Sequence, residues 1–264
     1  MAEREVYPDG EQRRRIMDFI MAAGQTLLEN GAEVFRVEQT MEIMAASFHL
    51  REFHVYVLTN GIFASAGTAE MSEVRNVPTR TTHLGRVAAV NQLSRQIASG
   101  EVDTIDEAET RLAQARCIPF PKDWVQIAAG MGGAFCFALS FGGDLKAGLA
   151  AAAAGVAANA YLLFCGRHGV GGGFRTISTA ALITLCCILG CSLLGTEASH
   201  AIIGTLMILT PGIAFTMGIR DFVQGDYLSG TIRMIDALLI AASIAIGTGL
   251  VLSLYAFLKG VAVV

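Results

Sequence analysis

Five charged residues that follow an apolar stretch are the clearest candidates for chemistry in this chain. The stretch "LTPGIAFTMG" at 209–218 precedes Arg220, Asp221, Asp226, Arg233 and Asp236. A carboxylate placed there could carry a coupling proton, and an arginine could meet a substrate carboxylate. Equally, a cluster of ion pairs could fix a loop over 220–236 without a transport role. If a fifth helix begins near Arg233, Asp236 would interact favourably with its N-terminus.

The same apolar stretch contains a predicted helix break. Pro211 cannot donate a hydrogen bond to the Met207 carbonyl, and Gly212 adds backbone freedom beside it. Backbone groups freed inside a membrane can bind a polar solute, whereas an ordinary proline kink would give the same pattern. On a helix, Thr205 and Thr216 would share a face with Gly212 and offer hydroxyl groups beside the break.

Asn159 is a further polar candidate, because it lies on a face of small residues. Gly148, Ala152, Gly155 and Asn159 follow the spacing i, i+4, i+7, i+11. Such a face allows two helices to approach closely. Asn159 could therefore contact a polar substrate, or it could form an interhelical hydrogen bond without a transport role.

The composition is that of an integral membrane protein. Of the 264 residues 53% are hydrophobic and only 16% are charged, and the mean hydropathy is +0.52. A net charge of −4 does not favour a nucleic-acid-binding surface. The sequence contains neither HExxH nor GxSxG, so we expect no catalytic residue, metal site or cofactor. The N-terminus lacks an apolar signal segment, which predicts a cytoplasmic N-terminal part.

The elements that must position these residues form two predicted domains. Residues 1–118 predict a small cytoplasmic α+β domain, with two amphipathic helices, a hairpin at Asn60-Gly61, a third strand around 74–82 and helices at 84–99 and 104–116. Residues 119–264 predict a transmembrane domain of five helices, since five apolar runs approach the length that crosses a bilayer. The runs are Trp124–Phe141, Ala147–Cys165, Ile177–Leu194, Ala201–Ile219 and Ala237–Leu258.

The charge of the connecting segments predicts the orientation of these spans. The predicted outside loop at 195–200 has no Lys or Arg, whereas the predicted inside loop at 166–175 contains Arg167 and Arg175. Positive residues favour the cytoplasmic side. We therefore expect a multi-pass protein of the inner (plasma) membrane whose N-terminus is cytoplasmic.

Three stretches together carry a family resemblance. They are "ENGAEVFRVEQTM" at 29–41, "LTNGIFAS" at 58–65 and "LTPGIAFTMGIRDFVQGDYLSGTIRMIDALLIA" at 209–241. Their order and spacing resemble the threonine/serine exporter family, specifically its N-terminal half, over essentially the whole chain. Single-chain members of that family carry a second membrane half after the first.

The resemblance implies a membrane export permease for threonine and serine that is driven by the proton gradient. It also implies a second small membrane subunit that supplies the missing half, as in split relatives, or a homo-oligomer; no nucleic acid is implied. Because some split relatives are associated with succinate export, a dicarboxylate is an alternative cargo. The residues also leave open a membrane-anchored enzyme, which would require an activity in residues 1–116, and a non-transporting scaffold.

The resemblance also implies which positions are functional. Glu33 and Arg36 match the family in the N-terminal domain, where they could serve folding or docking against the membrane half. The remaining matched positions lie in the third stretch, and they are Pro211, Gly212, Asp221, Asp226, Gly230 and Arg233.

Overall fold

The computed structural model describes residues 10–67, 71–77 and 81–259 and divides the chain into two compact units. The first unit comprises Met1–Phe120 with Arg220–Ile232, and the second comprises Pro121–Ile219 with Arg233–Val264. The short segment Arg220–Ile232 thus groups with residues that precede it by a hundred positions or more. The predicted domain limits, 1–118 and 119–264, remain a prediction.

Four helices and a three-stranded sheet form the described part of Met1–Phe120. The helices are α1 (Gly10–Glu29), α2 (Val34–Ser47), α3 (Leu84–Ala98) and α4 (Ile105–Arg116). The strands are β1 (His54–Leu58), β2 (Gly61–Ala66) and β3 (Met71–Asn76). The helices predicted at 84–99 and 104–116 agree with α3 and α4 to within one residue.

Helices α1 and α2 pack closely because both are amphipathic. Ile20 and Leu27 of α1 and Val37 and Met41 of α2 are almost completely buried at helical spacing. A Cβ atom added to Gly24 of α1 would lie 2.3 Å from the Met41 sulfur, so the glycine makes room for this side chain. The helices therefore cover one core together with the sheet.

The sheet is antiparallel with the order β1-β2-β3. Leu58 pairs with Gly61, so the two-residue hairpin loop is Thr59-Asn60. The predicted hairpin is thus present, but Gly61 is the first residue of β2 and not part of the turn. The third strand ends at Asn76, earlier than predicted; of the residues predicted to continue it, 78–80 lie outside the described part.

The second unit is helical throughout its described elements. It contains α5 (Asp123–Ser140), α6 (Leu145–Arg167), α7 (Gly172–Leu194), α8 (Ala198–Leu206), most of α9 (Gly212–Gln224) and most of α10 (Tyr227–Lys259). Among the described helices, α6, α7 and α10 are long and apolar enough to cross a membrane. Asp123 and Gln126 lower the hydropathy of α5, and α8 and α9 are short. The chain is therefore mostly helical, with three candidate spans.

Small residues bring the helices of the second unit into close contact. A Cβ atom on Gly204 of α8 would lie 2.4 Å from the Ala138 backbone nitrogen of α5. A Cβ atom on Gly247 of α10 would lie 2.2 Å from the Ile177 carbonyl oxygen of α7. Only glycine permits such an approach of backbone to backbone, which is typical of helix packing in membranes.

Candidate functional site

Three of the five candidate residues after the apolar stretch, Arg220, Asp221 and Asp226, lie at a tight corner between two helices. Only Gly225 and Asp226 separate α9 from α10. Gly225 has a φ of +92°, which glycine adopts without strain, and the Asp226 N–H donates to the Asp221 carbonyl at 2.9 Å. The prediction of a loop over 220–236 is therefore wrong, because a left-handed glycine ends α9 and lets α10 begin at once.

Arg220, in the last part of α9, forms an ion pair with Glu33 at the start of α2. Arg220 Nη1 donates to Glu33 Oε1 at 2.6 Å, and both residues belong to the first unit. The Glu33 side chain is 21% exposed, against 47% for Arg220. The structure thus brings together two sequence candidates that are 187 positions apart.

The two aspartates of the corner differ in their surroundings. Asp221 is only 1% exposed, whereas Asp226 is half-buried. Asp226 directly precedes the first turn of α10, where a negative charge interacts favourably with the helix N-terminus. The prediction that Asp236 makes this interaction is wrong, because Asp236 lies about two and a half turns inside α10.

Glu38 of α2 is a candidate that sequence reasoning misses. Its Oε1 accepts a hydrogen bond from the Val57 N–H of β1 at 2.8 Å. Burial, followed by the negative charges of Asp226 and Glu42, raises the pKa of Glu38, although the bond from Val57 opposes this. The signal in the sequence is a carboxylate one helical turn after Val34, on the inner face of an amphipathic helix.

The raised pKa of Glu38 leads to a pH-dependent stability prediction. A carboxyl group with a raised pKa binds its proton more tightly in the folded state. The proton on Glu38 therefore stabilises the folded state fully below the unfolded pKa, about 4.3. This stabilisation is lost as the pH rises through the folded pKa. Glu38→Gln keeps an oxygen for Val57 but never ionises. We expect the variant to unfold at a higher temperature than the wild type at pH 7.5, with no such advantage at pH 4.

Thermal unfolding of the purified full chain in detergent at both pH values measures this difference. Asp103→Asn, which removes an exposed carboxylate that is not among the causes of the Glu38 shift, is the control. A Glu38→Gln advantage of equal size at both pH values would contradict the prediction.

Arg233, the basic candidate of the second unit, is buried. It is 8% exposed, and its Nη1 lies 3.4 Å from the Met217 sulfur of α9. Arg233 and Asp236 both belong to α10 at the spacing i, i+3, which puts them on the same side of the helix. An arginine buried among apolar helices is costly, and such residues often bind substrates or ions in membrane proteins.

The apolar run that contains Pro211 is two helices and not one. α8 ends at Leu206 and α9 begins at Gly212, because proline cannot continue the hydrogen-bond ladder of a helix. Pro211 cannot donate to the Met207 carbonyl, as predicted, and this carbonyl accepts a bond from the neighbouring Thr210 N–H at 3.3 Å instead. The predicted break at Pro211 is present and is more complete than a kink.

Thr205 and Thr216 lie on different helices and do not share a face. Thr205 is fully buried in α8 and donates to the Ala201 carbonyl at 2.8 Å, with the Ala151 carbonyl of α6 at 3.4 Å. Thr216 is exposed on α9 and donates to the Gly212 carbonyl at 2.9 Å. The expected pair of hydroxyl groups beside the break is thus not formed, because the break changes the helix phase between them.

Asn159 lies on the face of α6 that packs against α5. Its Nδ2 donates to the Gly155 carbonyl at 2.9 Å, within the same helix. A Cβ atom on Gly130 of α5 would lie 1.7 Å from that nitrogen, so the asparagine fills the space that this glycine leaves. These contacts favour a packing role, and the interhelical hydrogen bond is not among the described contacts.

The remaining candidates lie apart from these contacts. Arg36 is exposed on α2. In residues 10–67, 71–77 and 81–259, no group of three or more His, Cys, Asp or Glu side chains could hold a metal ion.

The contacts of the first unit bring five charged residues together. They are Glu33, Glu38, Arg220, Asp221 and Asp226.

Comparison with known proteins identifies a family and a relative. A family model with the description "Putative threonine/serine exporter" matches residues 18–255. A curated protein of Mycobacterium tuberculosis (strain ATCC 25618 / H37Rv), "Probable threonine/serine exporter", is 27% identical over 246 residues. That match covers 90% of this chain and 46% of the relative, so the chain spans about half of the relative's length. No solved structure matches.

Proposed function

The chain belongs to the threonine/serine exporter family, and we propose that it forms one half of a membrane exporter for small polar solutes, with threonine and serine as its first candidates. The family match carries this proposal, because it extends over residues 18–255 and so includes both compact units. It also includes every candidate residue from Glu33 to Asp236. The membrane character is supported independently by the three long apolar helices.

The proposed topology has five spans in the plasma membrane, with a cytoplasmic N-terminus. The spans are α5, α6, α7, the pair α8 and α9, and α10. Large apolar side chains on the outside of these helices support the proposal, since they are suited to lipid; examples are Phe137, Leu189 and Leu250, each more than 40% exposed. In this orientation the corner between α9 and α10 is cytoplasmic, as is the N-terminal unit.

The proposed transport path starts at that corner. A solute enters from the cytoplasm near Asp221 and Asp226, and the broken segment around Pro211 holds it. The buried guanidinium of Arg233 meets the solute carboxylate, since arginine and carboxylate form strong charge-assisted hydrogen bonds. Asp221 or Asp226 carries the coupling proton, which makes the process secondary transport driven by the proton gradient.

We further propose that a second membrane half completes the exporter, either as a separate small subunit or as a second copy. The match covers 46% of the curated relative, so that protein has room for a further membrane half. Transport sites are often built at the interface of two related membrane halves, and alternating access then follows from rocking of one half against the other.

Efflux from preloaded cells tests the function directly. Cells are loaded with labelled threonine, serine or succinate and express this chain alone, or with the membrane protein of a neighbouring gene. We expect efflux of threonine and serine with the partner, no efflux of succinate, and loss of efflux when an uncoupler removes the proton gradient. Immunoblots of the membrane fraction confirm that both proteins are present.

The outcomes separate the candidate functions. Efflux of succinate alone would assign the dicarboxylate instead. If neither amino acid leaves the cells while both proteins are in the membrane, the proposed export of threonine and serine is refuted.

A further inference from the structure

The carboxylate of Glu33 is not hydrogen-bonded to the helix whose start it occupies. Glu33 has the extended backbone of an N-cap residue, yet its side chain makes no capping hydrogen bond. Ser, Thr, Asp and Asn are preferred there because their short side chains reach the free N–H groups. Oε1 of Glu33 instead binds Arg220, while Oε2 is buried and accepts no hydrogen bond from the described residues. The negative charge of Glu33 thus interacts with the segment Arg220–Ile232.

A second charge of α2 acts on the same segment with the opposite sign. Glu38 lies close enough to Asp226 for the two negative charges to disfavour each other. Helix α2 therefore attracts the segment at Arg220 and repels it at Asp226. Since the Glu33–Arg220 contact is the attractive one, its removal should weaken the attachment of the segment to α2.

The corner at Gly225 links the contact at Arg220 to the two candidate carboxylates. Arg220 and Asp221 are consecutive residues of α9, and Asp226 is bonded through its N–H to the Asp221 carbonyl. The connection between the helices has only two residues, Gly225 and Asp226, so only a short stretch of backbone separates Arg220 from both aspartates. A contact that fixes Arg220 therefore also fixes the positions of Asp221 and Asp226.

We propose that Glu33 and Arg220 are a positioning pair, through which α2 holds the segment Arg220–Ile232 and so places Asp221 and Asp226 for export. Neither member of the pair contacts the solute. The effect on export rests on the proposed function, whereas the contact belongs to the first unit alone. Through this contact the N-terminal unit contributes to export.

A double-mutant cycle with Glu33→Gln and Arg220→Gln tests the contact without reference to any cargo. Hydrogen–deuterium exchange of the purified full chain is measured for the backbone amides of 220–232. An exposed ion pair contributes up to ~1 kcal/mol, so each single variant should raise exchange about fivefold. The double variant should also show about a fivefold increase, because both substitutions remove the same contact. An additive increase of about twenty-five-fold, or no increase in the singles, would overturn the proposal.

Export measured for the same variants tests the consequence. Each single variant should lower export several-fold, the double variant should lower it no further, and Arg220→Lys should retain most of it, since the charge is kept. Glu109→Gln is the matched control, because Glu109 pairs with Arg15 at 2.6 Å on a comparably exposed surface of the same unit. Unchanged export in the single variants would overturn the positioning role. Absence of export in the wild type would refute the proposed function, while the exchange measurements would still decide on the pair.

Discussion

Replacement of Asp221 by asparagine should lower export at least about tenfold, the change in rate that corresponds to about 1.36 kcal/mol. Asp221 is 1% exposed, and a carboxylate that is buried so completely requires compensation of several kcal/mol from its surroundings. Asparagine has nearly the same shape, but it can neither carry a proton nor hold a negative charge. Export of labelled threonine from preloaded cells, normalised to the amount of protein in the membrane, measures the effect.

Asp103→Asn is the control for this substitution, since Asp103 is exposed in the first unit and precedes α4. The thermal unfolding of the purified Asp221→Asn variant shows whether the loss of export reflects a loss of the fold. Full export by a folded Asp221→Asn variant would exclude Asp221 as a carrier of charge in the transport cycle.

Replacement of Gly247 by alanine should strongly destabilise the second unit. The added Cβ atom would lie 2.2 Å from the Ile177 carbonyl oxygen and 3.0 Å from the Ala180 Cβ. Backbone atoms of α7 cannot move aside as the end of a long side chain can, so the helices must separate. Overpacking of this kind costs about 1–3 kcal/mol, which predicts an unfolding temperature lower by about 3–10 °C in detergent.

Gly249 offers a matched control two residues further along α10. A Cβ atom at this position meets nothing within 4 Å. Gly249→Ala should therefore be neutral or slightly stabilising, because alanine is the better helix former by up to about 1 kcal/mol. Equal unfolding temperatures for Gly247→Ala and Gly249→Ala would contradict the observed packing of α10 on α7.

Local patterns predict the regular elements of the N-terminal unit closely. The limits of α3 and α4 are predicted to within one residue, since amphipathic periodicity and a short polar connection determine them. The hairpin is also predicted, although its turn is displaced by one position. Here the pairing of Leu58 with Gly61 decides the register, and pairing is a property of two strands that a single dipeptide does not determine.

The fourth apolar run shows that composition does not predict whether a run forms one helix or two. A run of apolar residues has the same hydropathy whether it forms one helix or two, so the pattern predicts a continuous span from Ala201 to Ile219. The backbone chemistry of Pro211 decides the outcome, and it places Thr205 and Thr216 on separate helices. The predicted break is correct, whereas the side-chain arrangement derived from a continuous helix is not.

The candidate site could be predicted in its members but not in its contacts. The charges of Arg220, Asp221 and Asp226 are conspicuous after an apolar stretch, and Glu33 is identified by family resemblance. Their proximity depends on the packing of the segment 220–232 with residues of the N-terminal unit. Contacts across such a separation leave no local signature in one sequence. Glu38 could have been found, because a carboxylate on an apolar helix face is a local signal.

The continuity of α10 gives its residues a common rotational phase. This helix of 33 residues is about 50 Å long, and it runs without interruption from the Gly225 corner past Arg233 to Gly247 and beyond. Each residue added or removed between two points on a helix turns one point relative to the other by about 100°. The number of residues between Arg233 and Gly247 therefore fixes the angle between these two positions around the helix axis. Because Gly247 packs against α7, this angle determines the direction in which Arg233 points.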